Sequence, residues 1–198
     1  MSDAAAAAEI TEDSCRRRLR RERIAAREAV PADTIADWSA RVCHHLRQSF
    51  PHPPGRRIGF CWPVRNEPDV RPVIAEWLQH GTQACLPVVV GRDMALSFRL
   101  WTPESPLSAD RFGVPTPLAD AITLVPDVLL IPLNAFDDRG FRLGYGGGFF
   151  DRTLAALSPR PLAIGIGFEI GRVASVSPQP HDQRLDWIVS EAAVTAIG

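Results

Sequence analysis

Apolar positions along the chain alternate between a spacing of three to four and short unbroken runs, the pattern of helices interleaved with buried strands. Beyond Asp33, the residues Ile35, Trp38, Val42 and Leu46 share one helical face. Val70, Val73, Ile74, Trp77 and Leu78 repeat that spacing, and Gly81 is placed to stop the helix. An earlier helix is expected from about Thr11 to Ala29, after a flexible tail over residues 1–10. Runs at Arg57–Trp62, Ala84–Val90, Ala95–Trp101, Val128–Leu133, Pro161–Phe168 and Trp187–Val189 predict strands. Pro87 and Pro132 weaken two of these, because proline removes a ladder donor and prefers edges or strand ends. Residues 102–126 hold five prolines and little periodicity, which predicts a long connection across the surface. The alternation as a whole predicts helices layered on a mostly parallel sheet, in one α/β domain over residues 11–198.

Composition narrows the function classes. A chain of 198 residues, 45% hydrophobic, suits one domain with a real core. A net charge of −1 argues against general affinity for nucleic acid or an anionic membrane. No apolar run approaches the roughly 20 residues of a membrane span. Met1-Ser-Asp and the alanines after it lack the basic and strongly apolar regions of a signal peptide, so a cytoplasmic protein is expected. Cys15, Cys43, Cys61 and Cys85 form no C-x-x-C pair, which disfavours zinc and a disulfide scaffold and leaves free thiols.

The candidate chemistry lies in Arg142-Leu-Gly-Tyr-Gly-Gly-Gly-Phe-Phe-Asp-Arg152. Glycines let the backbone approach an anion and turn successive N–H groups into one concavity. The helix-compatible stretch Phe149 to Leu157 follows, so the loop would deliver an anion to a helix N-terminus. Asp151, in the first turn, is placed to hold a divalent cation against the same phosphates. Glycine-rich turns also serve simple chain reversal, and the glycines alone do not choose between the two. A Walker A loop is excluded because the chain contains no lysine. A dinucleotide fingerprint fails too, since Phe149 stands where a glycine is needed and Asp137-Asp-Arg-Gly140 is a turn, not a strand. Gly165 and Gly167 read as strand glycines.

A second feature is the arginine run of the first helix: Arg16, Arg17, Arg18, Arg20, Arg21, Arg23 and Arg27. Arg16, Arg20, Arg23 and Arg27 share one stripe. A solvated face or a nucleic-acid contact is the ordinary reading of such a run. The near-neutral total charge lowers the nucleic-acid option, and the anion site elsewhere raises a phosphate role.

Five segments in order resemble the 5-formyltetrahydrofolate cyclo-ligase family, also called methenyltetrahydrofolate synthetases. They are Arg16-Arg-Arg-Leu-Arg20 with Arg27, Gly59 to Asp69, Phe112-Gly-Val-Pro-Thr-Pro117, Ile131 to Arg152, and His181-Asp182 with Leu185 to Val189. The resemblance implies a three-layer α/β/α fold with a mostly parallel sheet, resembling the NagB/RpiA/CoA-transferase-like fold. It implies ATP-dependent cyclisation of 5-formyltetrahydrofolate to 5,10-methenyltetrahydrofolate, with magnesium, in a monomer that binds only small molecules. It assigns ATP contacts to Arg16, Arg17, Arg18, Leu19 and Arg20, and to Arg142, Leu143, Gly144, Tyr145, Gly146, Gly147, Gly148, Phe149 and Phe150. The folate would meet Arg20, Trp62, Glu67, Tyr145, Gly146, Gly147, Gly148 and Phe149. Arg142, Tyr145 and Asp151 would be catalytic, and Asp151 and Asp186 would hold Mg2+ directly or through water.

Two departures from the family pattern stand out. Arg16 replaces a lysine, exchanging a point charge for a planar fork. Phe149 and Phe150 stand where two tyrosines are usual, leaving Tyr145 as the one tyrosine of the chain. A non-catalytic or altered-specificity paralogue that binds folate or another nucleotide-dependent ligand is therefore the alternative. A phosphosugar isomerase or acyl-CoA transferase on a similar fold would leave the arginines and Asp186 unexplained.

Overall fold

The computed structural model describes residues 2–52 and 55–198. The elements in chain order are α1 (Ser2–Glu28), α2 (Ala32–Ser49), β1 (Arg57–Gly59), α3 (Arg71–Gln79), β2 (Gln83–Val88) and β3 (Ser97–Trp101). Then come β4 (Leu107–Ala109), β5 (Pro115–Pro117), β6 (Thr123–Leu124), β7 (Val128–Pro132), β8 (Ala135–Phe136) and β9 (Arg142–Leu143). The chain ends with α4 (Phe149–Ala156), β10 (Leu162–Ile166), a 3-10 turn (Glu169–Gly171), β11 (Trp187–Val189) and β12 (Val194–Ala196). The expected tail over residues 1–10 falls partly on Met1, outside the described residues, and otherwise on the start of α1, whose side chains are described from Asp13 onward.

The main sheet has eight strands in the order β12-β11-β10-β7-β1-β2-β3-β6. Its middle strands, β11 to β2, pair in parallel, and the antiparallel pairings are confined to the two flanks. β7 explains its own place at the centre. Its run Val-Leu-Leu-Ile is buried on both faces, as a parallel strand between two helical layers must be. Val128 and Leu130 join one core with Ile58, Leu86 and Ile164, covered by the apolar faces of α2 and α3. Leu129 and Ile131 point the other way, into a core with Cys85, Phe98 and Leu154 of α4. The result is the layering of helices on a mostly parallel sheet that the alternation predicts, in the three layers that the resemblance implies.

Pro87 and Pro132 both lie inside strands after all. β1 is short enough to make this harmless. Cys85 accepts from Phe60 N, so Pro87, two residues on, faces the same side, past the end of β1. Leu133 donates to Ile166, so Pro132 also faces away from β10 toward that space. Neither missing N–H leaves a gap in a ladder.

The stretch 102–126, expected as a long connection across the surface, contains regular structure. It carries the hairpin β4–β5 and then β6, which pairs with β3. Asp110 N donates to Val114 O, which makes Ser108 and Thr116 the next hydrogen-bonded pair and turns Pro115 and Pro117 outward. A two-stranded ribbon has no neighbour there to miss their donors, and such short strands leave no periodicity in the sequence.

The chain places β2, β3 and β6 on one side of β1, then returns to place β7, β10 and β11 on the other. Strand order therefore reverses between β1 and β7, and the carboxyl ends of such strands open a crevice suited to ligands. α1 lies across that end. It packs on β8 and on the 3-10 turn, which follow β7 and β10 in the chain.

Candidate active site

The loop leaving β1 is held in an unusual shape. Arg65 and Asn66 both adopt positive φ, 51° and 59°, which costs energy in any residue with a side chain. Contacts with the C-terminal end of α1 hold the strain. Asn66 Nδ2 donates to Arg27 O, Glu28 O and Val30 O, carbonyls at and just past the helix end. Arg65 closes a two-pronged ion pair with Glu28 at 2.6 and 2.9 Å. This turn delivers Glu67 into the crevice.

Glu67 is 5% exposed. Its Oε1 accepts the Tyr145 hydroxyl at 2.7 Å and its Oε2 accepts Val64 N at 3.1 Å. Burial pushes the carboxyl above its ordinary value, and Tyr145, Arg27, the Val64 N–H and Arg65 oppose the shift without cancelling it. Trp62 is half-buried against the first core, with the Arg71 guanidinium 4.5 Å above its ring and Trp101 at its edge.

The glycine loop begins where β8 and β9 end their short pairing. Gly146 has φ +93° and Gly148, which caps α4, has φ +63°, left-handed conformations that favour glycine. The Arg20 guanidinium lies against Gly146, where an added Cβ would meet its Cζ at 3.2 Å. Arg20 Nε donates to Gly144 O at 2.7 Å, and among the described residues its two terminal nitrogens have no hydrogen-bond partner. Arg152 donates to Gly147 O at 2.6 Å and lies over the Phe149 ring. Two cations and the N-terminus of α4 thus bracket one glycine turn, an arrangement that binds anions.

Arg142 lies beneath the loop, 7% exposed. It donates to Gln183 O at 2.7 Å and to Asp151 Oδ1 at 3.1 Å, and Gln183 N donates to the same oxygen. Burial pulls its pKa below the ordinary value, with Asp151 and Asp182 working the other way. Asp151 Oδ2 accepts no hydrogen bond among the described residues, so one oxygen of this carboxylate is open to a hard cation. Asp186 differs. Both its oxygens take Arg160, and Oδ2 also accepts Ala163 N. No group of three metal-ligating side chains forms among the described residues.

The arginine stripe faces the crevice instead of solvent. Arg16 and Arg27 are buried, and Arg20 and Arg23 are half-buried. Arg16 is spent on Asp182, at 2.7 and 3.2 Å, and on Ser177 O. Arg17 and Arg18 point to solvent and pair with Asp13 and Glu22 one turn away. Leu19 packs with Ala135, Leu143 and Val176. Phe149 folds its ring back over Gly147, and Phe150 joins the core around Leu154. So Arg20, Arg142, Tyr145, Gly144 to Phe149 and Asp151 come together, linked to Glu67 through Tyr145, while Arg17, Arg18 and Asp186 have no described contact with them.

Residues 12–191 match the model of the 5-formyltetrahydrofolate cyclo-ligase family. The chain belongs to that family. It is 40% identical over 93 residues to a 5-formyltetrahydrofolate cyclo-ligase of Escherichia coli strain K12, an alignment covering 44% of this chain and 51% of the relative. With the protein of that name from Haemophilus influenzae it shares 33% over 92 residues, 44% of this chain and 49% of the relative. The chain thus spans about half the length of these relatives. The solved 5,10-methenyltetrahydrofolate synthetase of Aquifex aeolicus has the same fold, with a TM-score of 0.79 over 92% of each chain at 23% identity. No helix among the described residues is long and apolar enough to cross a membrane.

Two groups at this family site were not singled out by sequence reasoning. Asn134 lies in the matching Ile131 to Arg152 segment, and Asp182 follows His181 in the closing motif, but neither carries a chemical signal until its arginine partner is known.

Proposed function

We propose that this family member catalyses the ATP-dependent closure of 5-formyltetrahydrofolate to 5,10-methenyltetrahydrofolate, releasing ADP and phosphate. One observation carries the reading: Tyr145, from within the glycine loop, donates to the buried Glu67 carboxylate. An anion cradle and a carboxylate able to accept from the donor-rich edge of a pterin are thereby joined through a single side chain.

The chemistry asks for that pairing. A formamide oxygen is a poor leaving group. The formyl oxygen attacks the γ-phosphorus of ATP, a P–O bond forms, and the bond to ADP breaks. The second folate nitrogen then attacks the formyl carbon and gives up its proton, the C–O bond breaks, and phosphate departs. Phosphoryl transfer needs positioning and charge neutralisation more than covalent help. Arg20 and the N–H groups of Gly146 to Phe149 supply these at the phosphates, while buried Arg142 fixes Asp151. Magnesium bound with the nucleotide would add neutralisation of phosphate charge. Asp151 has the free oxygen to hold it, and Asp186, engaged by Arg160, fits only as an outer partner through water.

The test is the growth of methenyltetrahydrofolate absorbance from 5-formyltetrahydrofolate at neutral pH. Product that forms with ATP and magnesium, and not without ATP, supports the reading. Its absence with both present defeats it.

A further inference from the structure

Arg27 has no role in the reading above, yet it is the most heavily engaged side chain of the crevice. It is 3% exposed. Its Nε donates to Arg65 O at 2.9 Å, Nη1 to Asn134 Oδ1 at 2.8 Å and to Leu133 O at 3.3 Å, and Nη2 to the Tyr145 hydroxyl at 3.1 Å. Nη2 also stands 3.9 Å from Glu67 Oε1, with both side chains out of solvent. One guanidinium therefore touches the loop after β1, the loop after β7 and the glycine loop.

We infer that Arg27 is a positioning residue for the reaction: it acts as counter-ion to Glu67 and fixes the Tyr145 hydroxyl against that carboxylate. The inference rests on the cyclo-ligase reading and extends it. A buried cation is expensive, and a mere spacer here would be better served by an apolar side chain of similar volume. What an apolar group cannot do is offset a carboxylate in low dielectric. The groups facing Glu67 are Arg27 from α1, Arg65 and the Cys61 thiol from its own loop, and Tyr145 from the glycine loop. Arg65 spends its fork on exposed Glu28, which leaves Arg27 as the buried positive charge at this carboxylate. Without it, desolvation would act with less opposition and Glu67 would take up a proton at higher pH. A protonated Glu67 presents a donor where the pterin edge needs an acceptor. The planar fork also matters, because its acceptors lie in three directions that one ammonium cannot serve together.

The test uses the full chain and two variants, Arg27→Gln and Arg27→Lys. It measures KM for each substrate and the pH profile of kcat/KM for 5-formyltetrahydrofolate at saturating ATP and magnesium, with thermal melts to check folding. For Arg27→Gln we expect folate KM to rise about tenfold, ATP KM to stay within about twofold, and the acid limb of the profile to move up by about one pH unit. Arg27→Lys keeps the charge, so its limb stays with the wild type while folate KM rises by about threefold. If Arg27→Gln does not fold, the Lys variant decides: a selective rise in folate KM supports the role, and an equal rise in both constants overturns it. An unmoved acid limb in folded Arg27→Gln also overturns it, as does a limb that moves equally in both variants. Wild-type protein that makes no methenyl product would defeat the cyclo-ligase reading and this role together. Wild-type turnover with unresponsive variants would defeat this role alone.

Discussion

At the Glu67 end of the crevice, buried Glu67, Arg27 and Asn134 are bonded together with the hydroxyl of the more exposed Tyr145, whereas at the glycine loop Arg20 and the backbone leave donors unspent among the described residues. The first region is centred on buried charges and fixed by a turn with two strained residues. The second is open, and its glycines lie bare against two guanidiniums. Under the proposed function, the difference matches what each ligand would bring. A neutral pterin carries no net charge to organise its partners, so its site must be organised in advance. A polyphosphate brings its own charge and can complete a cradle that is only partly satisfied beforehand.

That contrast can be broken most severely at Arg142, which fixes Asp151 beneath the glycine loop. Arg142→Ala should remove charge-assisted hydrogen bonds of about 2–3 kcal/mol, or about 30- to 150-fold in kcat/KM for ATP. Unchanged kinetics would remove Arg142 from the site. At the closed end, Glu67→Gln should cost about 1–2 kcal/mol, read as about 5- to 30-fold in kcat/KM for the folate with ATP KM unaltered. A loss confined to ATP would reverse the assignment of the two regions. At the open end, Gly146→Ala sets a Cβ at φ +93° and against Arg20. The strain of about 1 kcal/mol should appear as roughly a fivefold rise in ATP KM, and a rise in folate KM alone would contradict it.

The smallest effect concerns Arg16, which sits on the stripe but is committed to Asp182. Burial works to raise the Asp182 carboxyl, but hydrogen bonds from Arg16 and Gln179 N outweigh it and hold the pKa below 3.8. The stability this adds is present above pH 3.8 and lost as pH falls through the depressed value. Arg16→Gln should therefore shift acid unfolding to higher pH, followed by circular dichroism. An unshifted midpoint would free Arg16 for a phosphate role in the resting protein.

Much of the fold is legible in the sequence. β7 announced itself as an unbroken apolar run, and α2 and α3 as apolar stripes, because burial imposes those patterns directly. The arginine stripe was visible as a stripe, but not its direction. Arg16 finds Asp182 and Arg27 finds Asn134 across more than a hundred residues of chain, and local spacing contains no record of such partners. The hairpin at β4 and β5 stayed hidden for a different reason: its prolines face outward, where the rules that exclude proline from sheets do not apply.

The central claim is that the formyl oxygen is activated by phosphorylation, and an isotope label tests it most directly. 5-Formyltetrahydrofolate carrying heavy oxygen in its formyl group should turn over with ATP to give inorganic phosphate that contains the label. Unlabelled phosphate, with the heavy oxygen recovered in water, would contradict the account.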